Sequence, residues 1–308
     1  MKRFFVALAA LGLAAAVASA QDFNAAVDAF NAGAQALESN KTEALAQFRA
    51  ALTQAQACSE DEAADLVAKC KEIIPGTLLS IAKEKINEAD YDGAVATLNE
   101  AQSVAAEYGA SAVEEEAANL VGNVYLRKGT SLLKAKDFAA AAEALEQAVA
   151  LNPDNGQANL LLGQAQLQSG NTDKAIESLT KANDLGEGQA AKLLSTTYLK
   201  KGQALMKAGK NAEAVDAFEQ SNSFAPNGNA YKLMASAYSK SGKSAQAIGA
   251  YKKYLEVEPN AKDAADIIFT VAATAQKAGD KATAIEYYKK LAGTKYAEQA
   301  DAQLKALK

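Results

Sequence analysis

One interval recurs along this chain. Ala141, Ala175, Ala214, Ala247 and Ala284 hold an equivalent position, at spacings of 34, 39, 33 and 37 residues. Four residues after each stands a large apolar side chain: Leu145, Leu179, Phe218, Tyr251 and Tyr288. Twelve before each stands a small residue: Gly129, Gly163, Gly202, Ala235 and Ala272. Pro153, Pro226 and Pro259 follow three of the alanines by twelve. Units of this length cannot bury an apolar face alone and must stack on their neighbours. The period therefore settles the architecture before any motif is weighed, and it points to a binding scaffold without naming the ligand.

Within each unit the apolar spacing is three and four, which places those residues on one face of a helix. Around Ala141, one helix carries Tyr125, Gly129 and Leu132, and a second carries Ala141, Leu145 and Ala148. Lys136-Asp137-Phe138 turns the chain between them, and Asn152-Pro153-Asp154-Asn155 ends the second helix and supplies a cap for the next. Small residues at the crossing let the two axes approach, so Gly163 and Gly202 are expected to face a partner helix where no side chain fits.

These residues resemble the tetratricopeptide repeat. Leu162-Gly163, Gly170, Ala175, Leu179 and Ala182 match its pattern; so do Tyr198, Gly202, Gly209, Ala214, Phe218 and Pro226, and, better, Tyr231, Ala235, Tyr238, Gly242, Ala247, Tyr251 and Pro259. With weaker units around Phe48, Leu98 and Tyr288, about seven helix pairs are counted. The resemblance implies an all-α solenoid with a right-handed superhelix. The division it suggests is divergent repeats over 21–121, a regular array over 122–295 and a capping helix over 296–308. In the N-terminal third, Ala44, Ala94 and Ala141 are spaced by 50 and 47, and the Ala- and Glu-rich insertions suit longer helices. Pro75-Gly76 is expected to break or kink one of them.

Residues 1–20 read as a secretory signal. Lys2 and Arg3 precede an apolar run, and Ala18-Ser19-Ala20 is a cleavage site that leaves Gln21 first. The expected location is periplasmic or secreted, with no membrane span after cleavage. Removal of Lys2 and Arg3 leaves 30 basic against 37 acidic residues, with Arg49 and Arg127 as the remaining arginines. That balance argues against nucleic acid, which is gripped by a basic, arginine-bearing face. The chain has no His and no Trp, so the commonest general base and metal ligand are missing. No catalytic centre, cofactor or metal site is expected.

Several constellations fail on inspection. Ser131-Leu132-Leu133-Lys134 fits a Ser-x-x-Lys motif, but that enzyme family needs a sheet. Gly242-Lys243-Ser244 lacks the earlier glycine of a phosphate loop, and Asp90-Tyr91-Asp92-Gly93 loses the calcium-loop pattern at Val95 and Ala101. Cys58 and Cys70, the only cysteines, are a candidate disulfide if the chain is exported. If a helix starts near Glu60, however, Cys70 lies about 15 Å along it, beyond a bridge's reach of roughly 7 Å. Two separately buried cysteines are the rival reading.

The resemblance also implies that the first helices of successive repeats line a concave groove. Carried over column by column, Asn123, Gln157, Thr196 and Asn229 lie near one edge; Lys83, Gln164 and Gln203 lie next to them. Leu126, Leu160, Leu199 and Leu167 are the apolar column, and Asn87, Lys134, Gln168, Lys207, Lys240 and Lys277 follow. Amides can bond a peptide backbone and the apolar residues can take side chains. Lys83 and Asn87 have part of the Lys, Asn and Arg spacing with which chaperone-binding members hold a terminal carboxylate. The resulting expectation is a scaffold for a protein or peptide partner; an envelope module that binds carbohydrate or peptidoglycan is the alternative. Nothing in the sequence fixes the oligomeric state.

Overall fold

The computed structural model describes residues 23–58 and 61–307. Residues 1–22, which include the expected secretory signal and its cleavage site, lie outside them, as do Ser59, Glu60 and Lys308. Among the described residues the fold is all-α. Fourteen of the fifteen helices among them pair in chain order: α1 (Phe23–Ala36) with α2 (Lys41–Ala57), α3 (Asp61–Asn87) with α4 (Tyr91–Tyr108), and α5 (Ser111–Lys134) with α6 (Phe138–Leu151). Then come α7 (Gly156–Gln168) with α8 (Thr172–Asp184), α9 (Gly188–Lys207) with α10 (Asn211–Phe224), α11 (Gly228–Lys240) with α12 (Ser244–Val257), and α13 (Ala264–Lys277) with α14 (Lys281–Lys289). The short α15 (Ala297–Ala306) follows. This is a tetratricopeptide-like α-solenoid of seven helix pairs. Two compact units divide it, residues 1–127 and 128–308, with the boundary inside α5.

Each pair is held at its crossing. A Cβ placed on Gly163 would lie 2.5 Å from Leu179 Cγ, and one on Gly129 or Gly202 would run into Leu145 or the Phe218 ring. Gly33 meets Phe48 in the same way, at 2.8 Å. Leu145, Leu179, Phe218 and Phe48 are fully buried, as are the recurring alanines Ala44, Ala94, Ala141, Ala175, Ala214, Ala247 and Ala284. The small residue thus admits the large one, and the pair buries both.

The turn between the two helices is equally regular. Five residues before six of the seven recurring alanines the backbone is left-handed: Gly170, Gly209, Gly242 and Gly279, but also Ala89 and Lys136, both at φ 62°; Ser39, before Ala44, is the exception. The next residue caps the second helix. The side chains of Asn40, Asp90, Asp137 and Asp280 accept the backbone N–H of Glu43 (3.1 Å), Gly93 (3.0 Å), Ala140 (3.3 Å) and Thr283 (3.0 Å). Asn171, Lys210 and Lys243 occupy the same position without a side-chain cap.

In unit 1 the extra residues lengthen helices: α3 has 27 residues and α5 has 24, against 13 in α7. The expected break at Pro75-Gly76 is not made. α3 runs through Pro75, whose ring is fully buried, because packing on both sides outweighs one lost backbone hydrogen bond. The Thr77 and Ser80 hydroxyls donate to the carbonyls of Ile73 and Gly76, each at 2.9 Å. Cys58 and Cys70 remain separate thiols. Cys58 follows α2 and donates to Gln54 O at 3.3 Å. Cys70 is buried nine residues into α3, where the helical rise carries it away from the α2–α3 loop; burial pushes its thiol up to about 11.

In unit 2 a polar joint ties the last two pairs together. Tyr254 donates from its hydroxyl to Asp263 Oδ1 (2.5 Å), Lys232 donates to Oδ2 (3.0 Å), and the Lys232 ammonium lies 5.3 Å from the Tyr254 ring centre. At the end of the array, α15 buries Ala300 and packs Leu304 and Leu307 against the core; Gln276 donates to Gln303 at 2.8 Å. It covers the last apolar face, as an end helix of such an array must.

Two outcomes follow. Lys136→Gly removes a side chain from a left-handed position that costs roughly 1–2 kcal/mol, against about 0.5–1 kcal/mol of extra glycine entropy. The variant should gain about 0.5–1 kcal/mol in denaturant unfolding. Tyr254 is held up at about 12 by burial, by its hydrogen bond to Asp263 and by that carboxylate's charge. An unfolded tyrosine ionises near 10, so the fold loses stability as pH rises from about 10 to about 12. Tyr254→Phe should start lower, by about 0.5–1.5 kcal/mol for the lost hydrogen bond, and fall less steeply over that window.

Candidate binding hollows along the first helices

The first helices of consecutive pairs leave hollows between them, each contained within one unit. In unit 1, α1 and α3 border a hollow of about 600 Å³ with Phe30, Leu37 and Ile73 as its apolar lining and Lys41, Lys69 and Glu72 beside them. Lys41 is paired with Glu84. Gly76, with no atom within 4 Å of its Cβ position, widens it.

A second hollow of about 430 Å³ lies between α3 and α5. It is lined by Ile86, Leu120, Val124 and Leu126, with Lys83, Asn87, Asn123 and Arg127 among its polar residues. Here the structure brings together residues that the sequence columns separated. Lys83 and Asn87 stand one turn apart on α3, and Asn123 and Arg127 one turn apart on α5. The sequence reading missed Arg127, because α5 presents it beside the groove column and not within it. The signal was present in the i, i+4 spacing from Asn123. Lys83 also reaches Glu116 on α5 at 2.7 Å, and Asn123 donates to Asn119 O at 3.3 Å.

In unit 2 a hollow of about 610 Å³ is bounded by α7, α8 and α9, with Leu167, Leu193, Thr196, Thr197, Lys200 and Lys201 among its walls. The residue before the crossing glycine is Leu162 in α7, where it is buried, and Met234 and Val271 hold the same place in α11 and α13. In α9 that place is Lys201, which turns out to bond Asp173 at 3.0 Å. Lys128 holds the same place in α5, and in α9 the lysine leaves this position of the joint without an apolar side chain.

The expected groove residues are only partly gathered. Leu167, Gln168 and Thr196 line this hollow, while Gln157, Gln164, Leu199, Gln203 and Lys207 do not. Gln164, Leu199 and Gln203 are half-buried, and Gln157, Lys134 and Lys207 are exposed. Leu160 is a correction. It is 3% exposed and packs with Leu179, Ala182, Ala190 and Leu194, so it belongs to the core and cannot receive a ligand side chain.

Among the described residues, no group of His, Cys, Asp and Glu could hold a metal, and no helix is long and apolar enough to cross a membrane. The chemistry offered by the hollows is that of amide and ammonium donors around an apolar lining. Lys201→Leu should close the α8–α9 joint. The lost ion pair is exposed and worth about 0–1 kcal/mol, and a partly buried leucine returns more, so thermal stability should rise by about 0.5–1 kcal/mol.

Comparison with known proteins agrees with the repeat pattern. Residues 126–190 match one tetratricopeptide repeat profile, and residues 195–227 and 229–261 match another. No curated protein matches. Among solved structures, the chain is similar to MamA at 23% identity, over 60% of this chain and 92% of that one, with a TM-score of 0.33. It is similar to YrrB, described as a TPR protein with an unusual peptide-binding site, at 16% identity, over 64% and 97%, with a TM-score of 0.34. A thermophilic TPR protein of Thermus thermophilus is 18% identical over 60% and 98%, with a TM-score of 0.27. On its crossing glycines, its turn positions and these profile matches, residues 126–261 are similar to tetratricopeptide repeats.

Proposed function

We propose that this protein is an exported, non-catalytic scaffold that holds the free C-terminal end of a partner polypeptide between α3 and α5. The observation that carries the reading is the meeting of Lys83, Asn87, Asn123 and Arg127 around one hollow with an apolar lining. A terminal carboxylate needs cationic and amide donors converging on two oxygens, and an arginine fork meets both. Ile86, Leu120 and Leu126 then receive the side chains that precede the carboxylate. Export rests on the charged, apolar and small-residue segments of residues 1–20.

A set of short peptides with free C-termini, each paired with its C-terminal amide, tests the site. Free-acid peptides with apolar penultimate residues should bind, and amidation should abolish binding. Arg127→Ala should weaken it tenfold or more, since a hydrogen bond to a charged group is worth about 1.5–3 kcal/mol. Equal binding of acids and amides would discard the carboxylate role. N-terminal sequencing of the exported product should find Gln21 first; a retained Met1 would reject the export reading.

A further inference from the structure

Two turns of unit 2 carry a lysine, and two turns of unit 1 carry a glutamate, each at the helix end that its charge disfavours. The capping position before α10 and α12 holds Lys210 and Lys243, where the equivalent turns elsewhere use Asn40, Asp90, Asp137, Asn171 and Asp280. A lysine cannot accept the free N–H groups of a helix start, and its charge opposes the positive end of the helix dipole. Lys210 is partly relieved by Glu213, at 3.2 Å. Lys243 has no such relief, because Gln246 stands at the corresponding place, and among the described residues Lys243 makes no ion pair. Lys207 and Lys240, in the last turns of α9 and α11, add charge to the same two turns.

Unit 1 shows the converse. Glu38 follows the end of α1 and Glu88 follows the end of α3, so both face the negative, carbonyl end of a helix. Both are exposed, and among the described residues neither makes an ion pair. Local stability is thus given up at four equivalent turns, in opposite senses. Helix stabilisation explains none of the four. Departures from local rules of this kind mark surfaces kept for another purpose.

We infer that these turns are the two halves of a self-association contact: the α9–α10 and α11–α12 turns of one copy receive the α1–α2 and α3–α4 turns of a second copy. Each unfavourable charge then finds an opposite one across the interface. The contact joins different surfaces of the two copies. It closes a dimer if it is made reciprocally and extends a chain if it is not.

Sedimentation velocity of the purified protein tests this at about 20 mM and about 500 mM salt, on either side of strong screening. The wild type should associate at low salt and return to monomer at high salt. Lys210→Glu with Lys243→Glu should stay monomeric at low salt, and so should Glu38→Lys with Glu88→Lys. Mixing the two double variants should restore association in a one-to-one ratio. All four substitutions move a charge to the helix end that favours it, so melting temperatures should hold or rise, which separates lost association from unfolding. A wild type that stays monomeric at low salt at about 100 µM overturns the inference. So does association that neither double variant weakens, or a mixture that remains monomeric.

Discussion

The fold depends on the contact between a small residue on the first helix of each pair and a large one on the second. Gly129, Gly163 and Gly202 have no room for a Cβ against Leu145, Leu179 and Phe218. That closeness lets short helices bury a whole face, and it sets the distance at which the next pair must stack. Where glycine gives way to Ala235 or Ala272, the partner changes to Tyr251 or Tyr288, and the crossing is still filled. Helices of 13 or 14 residues are marginal alone, so this burial and not intrinsic propensity makes them helical.

A regular crossing makes each departure from the repeat visible and gives it a consequence. Lys201 in place of a core leucine leaves that position of the α8–α9 joint without an apolar side chain. The longer α3 and α5 set Lys83, Asn87, Asn123 and Arg127 around one hollow. Lysines at the capping positions of α10 and α12 charge one edge. In each case the repeat supplies the frame, and a residue that breaks the pattern supplies the chemistry.

The crossing was legible in the sequence because it depends on residue size at fixed spacing, and size shows in the letters. Helix pairing and the end helix followed from it. The left-handed turn was partly hidden, since Ala89 and Lys136 adopt a conformation that the other repeats assign to glycine. The continuity of α3 through Pro75 was hidden as well, because tertiary packing there overrides a local preference. Site residues were harder. The groove columns assumed one orientation for every first helix, whereas the hollows depend on how two helices with different neighbours face each other. That placed Leu160 in the core and brought Arg127 to a hollow for which its own column gave no reason.

The central claim is that the small-to-large crossing holds each pair, and a double-mutant cycle at Gly202 and Phe218 tests it most directly. Gly202→Leu should cost about 1–3 kcal/mol by overpacking, and Phe218→Ala about 3–5 kcal/mol by leaving a cavity. In the double variant the new leucine occupies the space that the ring vacates. The account predicts that the double variant is less destabilised than the sum of the two single variants, by about 0.5–3 kcal/mol. Strict additivity would contradict it, because it would mean that the two residues do not share the space the structure gives them.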